Sequence, residues 1–372
     1  MPTYLTPQRL SRDLSIRDLT DPTTGPHAIQ MLVDEAVNAL QSAWGCAVRR
    51  CSGPALVDTA DNYDNLGFTA DAASRDARYT RYVNNRQMLR SHSSAMIPPA
   101  LRALAAEPAG PVLLVCPGMV YRRDSIDRLH TGTPHQLDLW LVAPADCDLP
   151  GLDEMTQLLI GALAPGRPWR AEERIHPYTT DGRQVDVEVG EEWIEVWECG
   201  LAHPDVLARA GLQRWHGLAL GLGLDRFLML RKEIPDIRLI RSSDPRVSAQ
   251  MLNLEPYRAV SSLPAIVRDL SVAVDADDDV EALGDRVRDA LGPDAEAVEE
   301  VSVVSTTECA ELPASAVLRM GMREGQKNLL VRVVLRPVAQ TLTDPEANDL
   351  RDRVYAAIHQ GAATEWAVAA RP

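Results

Sequence analysis

The sequence predicts an α+β fold in two parts: strands with flanking helices up to about residue 250, then a smaller α+β sandwich over residues 256–372. Three observations carry this. Apolar residues recur at helical spacing in "HAIQMLVDEAVNALQSAW", they alternate strictly with their neighbours in "HQLDLWLVA", and strand and helix patterns resume after a proline- and serine-marked change at "LNLEPYRAVSSLP". A length of 372 residues suits about two domains, each able to bury a core unaided.

The first element is the helix over residues 27–44, where Ile29, Leu32, Val33, Ala36, Val37 and Leu40 form one apolar stripe. "CAVRRCSGPALVD" reads as strand broken at Gly53-Pro54, and "GPVLLVCPGMVYRR" as a buried strand leading to a basic end. In "HQLDLWLVA", Gln136, Asp138 and Trp140 share one face and Leu137, Leu139 and Leu141 the other, so the polar face looks onto water or a ligand cleft. Val185, Val187 and Val189 lead through a turn into residues 193–197, a hairpin whose alternation sets Glu195 between Trp193 and Trp197 on one face.

"GLALGLGLDRFLMLRKEIPDIR" then poses a question, because it reads as a helix that begins on Gly217, Gly221 and Gly223. Glycine costs roughly 1 kcal/mol against alanine in a helix, so these positions serve close packing or close approach of a ligand. Beyond residue 256, "VRDLSVAV", "VEALGDRVRDAL", "EEVSVVS", "NLLVRVVLRP" and "DLRDRVYAAI" read as alternating strands and helices of a small sandwich.

Composition excludes several classes. The six cysteines show no CxxC spacing, which argues against a zinc knuckle or a dithiol redox motif and fits reduced thiols in a cytoplasm. The first residues lack the apolar core of a signal peptide, and no apolar run reaches membrane-spanning length, so no membrane partner is expected. A net charge of −15 disfavours non-specific adhesion to nucleic acid, leaving a local basic path as the route to RNA.

Several ordered segments together resemble the class II aminoacyl-tRNA synthetases, and within them the single-chain, organelle-like phenylalanyl-tRNA synthetases. "WGCAVRRCSGPALVDTADNYDNLGF" is similar to the first motif of that family and "GMVYRRDSIDRLHTGTPHQLDLW" to the second. "GLGLDRFLMLRKEIPDIR" is similar to the third, while "QMLRSHSSAM" and "WIEVWECGLAHPDVL" match two further family segments. The resemblance implies a class II antiparallel sheet flanked by helices over residues 1–250 and a ferredoxin-like anticodon-binding domain over 256–372. It also implies ATP and Mg²⁺ as cofactors, an amino acid and tRNA as partners, and a homodimer built by the first motif, although single-chain organellar relatives are monomeric.

By position, the resemblance assigns Arg226 to the triphosphate, with Gly221 and Gly223 leaving room and backbone N–H groups for the nucleotide. Arg122 falls to the α-phosphate, Asp124 to the adenine amino group and Glu195 to the magnesium-ATP. His92, Ser94, Gln136 and Asp138 surround the α-ammonium, and Ala219 leaves space for a ring. The sequence also departs from the family: Pro134 replaces the phenylalanine that stacks on adenine. His176 and Tyr178 replace two phenylalanines that clasp the substrate ring, and Glu198 replaces a glycine. The expected substrate is therefore an aromatic or polar-aromatic amino acid. Residues 256–372 hold 20 acidic and 12 basic residues, so tRNA contact falls to a local cluster such as Arg319, Arg323, Lys327 and Arg336, or tRNA binding has weakened. The alternatives are adenylation for a non-tRNA acceptor and a non-catalytic binder of amino acid, nucleotide or RNA.

Overall fold

The computed structural model describes residues 4–77, 79–108, 110–260, 264–338 and 340–363, so Ser261, Ser262 and Leu263 of the "SSLP" boundary and most of the ending "GAATEWAVAARP" lie outside the described residues. The chain divides into two compact units. The first comprises Met1–Arg122, Thr133–Ile234 and Gln250–Tyr257, and the second Arg123–Gly132, Pro235–Ala249 and Arg258–Pro372. Two segments that the sequence boundaries placed before residue 250 thus cluster with the C-terminal part.

The described residues of the first unit form nine strands: β1 (Ala47–Arg50), β2 (Leu56–Asp58), β3 (Gln87–Leu89), β4 (Val112–Met119), β5 (His135–Pro144), β6 (Trp169–Glu173), β7 (Thr179–Val189), β8 (Glu192–Ala202) and β9 (Trp215–Gly223). Seven form one sheet in the order β1-β4-β5-β9-β8-β7-β6, antiparallel except for β1 beside β4, while β2 and β3 pair separately. The helix Ala28–Trp44 carries the predicted stripe inward: Ile29, Leu32, Val33, Ala36, Val37 and Leu40 are all buried. His27 caps its start, Nδ1 accepting the Ile29 N–H at 3.1 Å, and Gly45 at φ 60° closes its end.

On the sheet face that carries Trp140, one end is sealed by Ile97, Leu101 and Leu104 of the helix Ile97–Ala106, which pack with Leu114, Trp140, Val142 and Ala219. The Gln136 and Asp138 end of that face lies beyond this apolar cluster, so the core stops where the polar residues begin.

Two readings of the sequence are corrected here. The segment 217–223 is strand, not the start of a helix; the helix is Leu224–Lys232. Leu218, Leu220 and Leu222 alternate into the core, and β9 is hydrogen-bonded to β5 and β8 on both edges, which outweighs any local preference of its glycines. Strict alternation also fails in β8. Trp197 opposes Val185 but Glu195 opposes Asp186, so Val196 is a bulge and Glu195 turns away from the face of the buried Trp197.

The second unit has β10 (Ile266–Asp275), β11 (Val298–Glu308) and β12 (Gln326–Leu335) in the antiparallel order β10-β12-β11, with helices Val280–Leu291 and Asp344–Ile358 contributing to one apolar core. Its interpolated segments are tied by charge. Glu299, 2% exposed, meets Arg128 at 2.7 Å, Arg336 at 3.0 Å and Arg238 at 3.5 Å. Arg288 donates to the backbone carbonyls of Asp124 and Ser125. Gly284 permits this approach, since a Cβ there would stand 2.6 Å from the Asp124 carbonyl oxygen.

Arg319, Arg323, Lys327 and Arg336 do not form the single cluster the sequence suggested. Lys327 begins β12 and Arg336 follows its last residue, which separates them by about 30 Å of extended chain. Lys327 is committed to the carbonyls of Ala276 and Asp278, and Arg336 to Glu299. Among the described residues all six cysteines are free, and no helix is long and apolar enough to cross a membrane.

Candidate active site

The register of the sheet sets out the site in rows. Cys116, Asp138, Gly221, Glu198 and Gln184 oppose one another across β4, β5, β9, β8 and β7, and Trp140, Ala219 and Gly200 form the next row. Paired residues point to the same face, so two carboxylates flank a glycine. The glycines divide their labour. A Cβ on Gly217 would stand 2.5 Å from the Leu141 carbonyl, which is packing; one on Gly221 would meet nothing nearer than Asp138 Oδ2 at 4.0 Å, and one on Gly223 nothing within 4 Å. The floor at Gly221 and Gly223 is left open.

In the Gly221 row Asp138, 2% exposed, accepts hydrogen bonds from the Ser93 hydroxyl and from Trp140 Nε1 at 3.3 Å. Burial pushes its carboxyl up to about 6 against the opposing hydroxyls of Ser93 and Ser94. Gln136 Oε1 accepts the Ser93 N–H at 3.1 Å. His92 faces Asn62 Nδ2 through Nε2 at 3.3 Å and stacks on Phe68 with centroids 5.6 Å apart. Loss of water and the Arg122 charge press its pKa down to about 3, so the ring is neutral at pH 7 and cannot oppose an ammonium.

The end away from Gly223, at the Trp140 row, is aromatic. Tyr178 stacks on Trp140 at 6.3 Å and on His176 at 5.8 Å, with Phe68 tilted at 6.2 Å. His176 Nε2 stands 3.2 Å from Glu198 Oε2, and its Nδ1 is 3.0 Å from the Thr179 hydroxyl. Burial would raise the Glu198 carboxyl, but His176 and Arg174 together hold it below the ordinary range.

At the other end Arg122 Nε donates to the Ser91 carbonyl at 2.9 Å, and its own carbonyl accepts Arg81, which pairs with Asp13 at 2.8 Å. Arg226 sits in the first turn of the helix Leu224–Lys232, exposed, behind a Gly223 cap that offers no side chain to the orphan N–H groups. Its charge reaches Glu195, whose carboxyl is raised by burial and by Glu198.

The first unit thus brings together His92, Ser94, Gln136, Asp138, His176, Tyr178, Ala219, Gly221 and Gly223 around one sheet face, with Arg122 bound beside His92 and Arg226 next to the Gly223 end. Asp124 is described with the second unit, where its side chain accepts the Ser125 N–H at 2.9 Å. Among the described residues no three His, Cys, Asp or Glu form a metal cluster. Glu195 and Glu198 are nonetheless a like-charge pair that a cation would relieve, which suits a Mg²⁺ held mainly by phosphates and water.

Residues 12–251 match the family described as the tRNA synthetases class II core domain (F). The chain belongs to this class II synthetase family. Among its relatives is the phenylalanine–tRNA ligase alpha subunit of Prochlorococcus marinus (strain MIT 9313), 33% identical over 240 residues that cover 63% of this chain and 69% of the relative. The chloroplastic/mitochondrial phenylalanine–tRNA ligase of Arabidopsis thaliana is 29% identical over 316 residues, 80% of this chain and 68% of the relative. Similarity to this organellar ligase therefore runs beyond the synthetase core.

Sequence reasoning passed over three residues of this candidate site. Phe68 ends the "NYDNLGF" segment and was visible only as part of the first motif; Trp140 was assigned a face but no role. Ser93 carries the bond to Asp138, and "SHSS" gives no means to rank it against Ser94.

Proposed function

We propose that this class II synthetase activates an aromatic or polar-aromatic amino acid with ATP and transfers it to tRNA. The observation that carries this is the continuous face running from the rings of Trp140 and Tyr178, past Asp138 beside the open floor of Gly221 and Gln136 beside that of Gly223, to Arg226 at a helix start. Asp138, its neighbours Ser93 and Gln136, and a neutral His92 take the α-ammonium. The α-carboxylate then attacks the α-phosphorus of ATP and pyrophosphate leaves. Arg122 faces the charge that builds on the α-phosphate, and Arg226 with the helix N-terminus holds the departing phosphates, so positioning and electrostatics supply the catalysis. When bound at Glu195, Mg²⁺ would add charge neutralisation to the pyrophosphate.

The test is amino-acid-dependent exchange of labelled pyrophosphate into ATP, followed by labelling of total tRNA. Exchange with an aromatic amino acid supports activation, and its absence across a full panel defeats it. A second reading, activation for an acceptor other than tRNA, is favoured by the dispersal of the basic residues along β12 and by their commitment to internal partners. Exchange without labelling of any tRNA would select it. The homodimer implied by the first motif is read in the same preparation by sedimentation.

A further inference from the structure

The side-chain end of the pocket is polar in a particular way. Glu198 lies on the same sheet face as Asp138, two strands away across Gly221, roughly 9–10 Å apart at ordinary strand spacing. Beside it His176, 7% exposed, brings Nε2 to 3.2 Å from Oε2 but out of hydrogen-bond alignment, so that this buried nitrogen has no hydrogen-bond partner among the described residues. Arg174 reaches the other carboxylate oxygen at 3.5 Å from a largely exposed position. A buried nitrogen left without a partner beside an ionised carboxylate costs free energy unless a ligand completes it.

With Nδ1 accepting the Thr179 hydroxyl proton and Nε2 carrying the ring proton, a hydroxyl group completes both: it accepts from Nε2 and donates its one hydrogen to Glu198. The rings of Tyr178 and Trp140 beside it suit an aromatic body. An ammonium-tipped side chain would meet the Arg174 charge, and a phenyl edge would leave Glu198 and His176 against C–H groups. We propose that this pocket takes an aromatic α-amino acid carrying a ring hydroxyl, in preference to phenylalanine, with Glu198 and His176 as the specificity-determining residues.

The proposal rests on the adenylation reading only in placing an amino acid on this face. It is tested by calorimetric titration of the full chain, without ATP, with tyrosine, 3,4-dihydroxyphenylalanine, phenylalanine and lysine. The expected result is that a hydroxylated amino acid binds at least about 100-fold tighter than phenylalanine. In Glu198→Gln and His176→Phe that ratio should fall at least about tenfold while the affinity for phenylalanine holds or rises. Tightest binding of phenylalanine or of lysine, binding of none of the four, or a ratio unchanged in both folded variants would each overturn it. Should either variant fail to fold, the wild-type ranking decides. An amino acid that binds with the predicted preference but supports no pyrophosphate exchange would defeat the adenylation reading and leave this inference standing.

Discussion

His135 and Asp225 form a fully buried pair, Nδ1 to Oδ1 at 3.0 Å, that ties the first residue of β5 to the first turn of the helix carrying Arg226. The Leu19 N–H donates to His135 Nε2 at 3.2 Å, so in the neutral ring the proton resides on Nδ1 and is donated to the carboxylate. Asp225 also accepts the His135 backbone N–H. Asp225→Ala would orphan two buried donors and should cost about 2–5 kcal/mol, read as a fall in the urea midpoint. Asp225→Asn, which retains an acceptor, should cost less. An unchanged midpoint in the alanine variant would show that the pair adds nothing to stability.

Arg122→Ala and Arg226→Ala should each lower pyrophosphate exchange on the order of a thousandfold. Their structural costs should differ. Arg226 is exposed and makes no hydrogen bond or ion pair among the described residues, so its loss leaves the melting temperature in place; Arg122 donates to the Ser91 carbonyl, so some stability goes with it. Near-normal exchange in a folded variant counts against the role of that arginine.

Asp138 gives a pH signature. Its carboxyl is raised to about 6 from the ordinary 3.8, so the native state binds the proton more tightly than the unfolded chain. The associated stability is present below the unfolded pKa and is lost as pH rises through about 6. Asp138→Asn should therefore gain stability relative to wild type between pH 4 and 7 while losing affinity for the amino acid. Wild-type affinity should itself weaken as pH drops below 6. A stability difference that does not vary over this range would remove the case for a raised carboxyl.

Glu299→Ala should leave Arg128, Arg238 and Arg336 facing one another without their shared anion. Removing one partner from a buried ion network costs about 3–5 kcal/mol. Hydrogen exchange should report it first in residues 123–132 and 235–249, because Arg128 and Arg238 tie these segments to Glu299. Unaltered protection there would mean that other contacts anchor them.

Much of the fold was legible because its periodicities were uncontaminated. The stripe from Ile29 to Leu40 and the alternation from His135 to Ala143 match the observed helix and strand. What escaped was conformation set by neighbours. The ladders on both edges of β9 make strand of a glycine-rich segment, and one bulged residue, Val196, reverses the side on which Glu195 emerges. Residues of the candidate site could be proposed where a motif fixed their order, as for Asp138 and Tyr178. The partnership of His176 with Glu198 could not, since a distance of 3.2 Å between residues 22 positions apart depends on the pairing of β7 with β8.

The interleaving of the two units bears on how the chain matures during synthesis. Residues 123–132 leave the ribosome with their neighbours of the first unit, yet Arg128 finds its carboxylate 171 residues later. Until β11 has emerged, the loop between β4 and β5 lacks the Glu299 that pairs with Arg128, and the C-terminal unit is no detachable cassette: a chain ended at Tyr257 would retain the synthetase sheet but leave this loop and the segment 235–249 without Arg288 and Glu299. Protease nicking between β4 and β5 is thus expected in nascent or truncated chains and suppressed in the finished one.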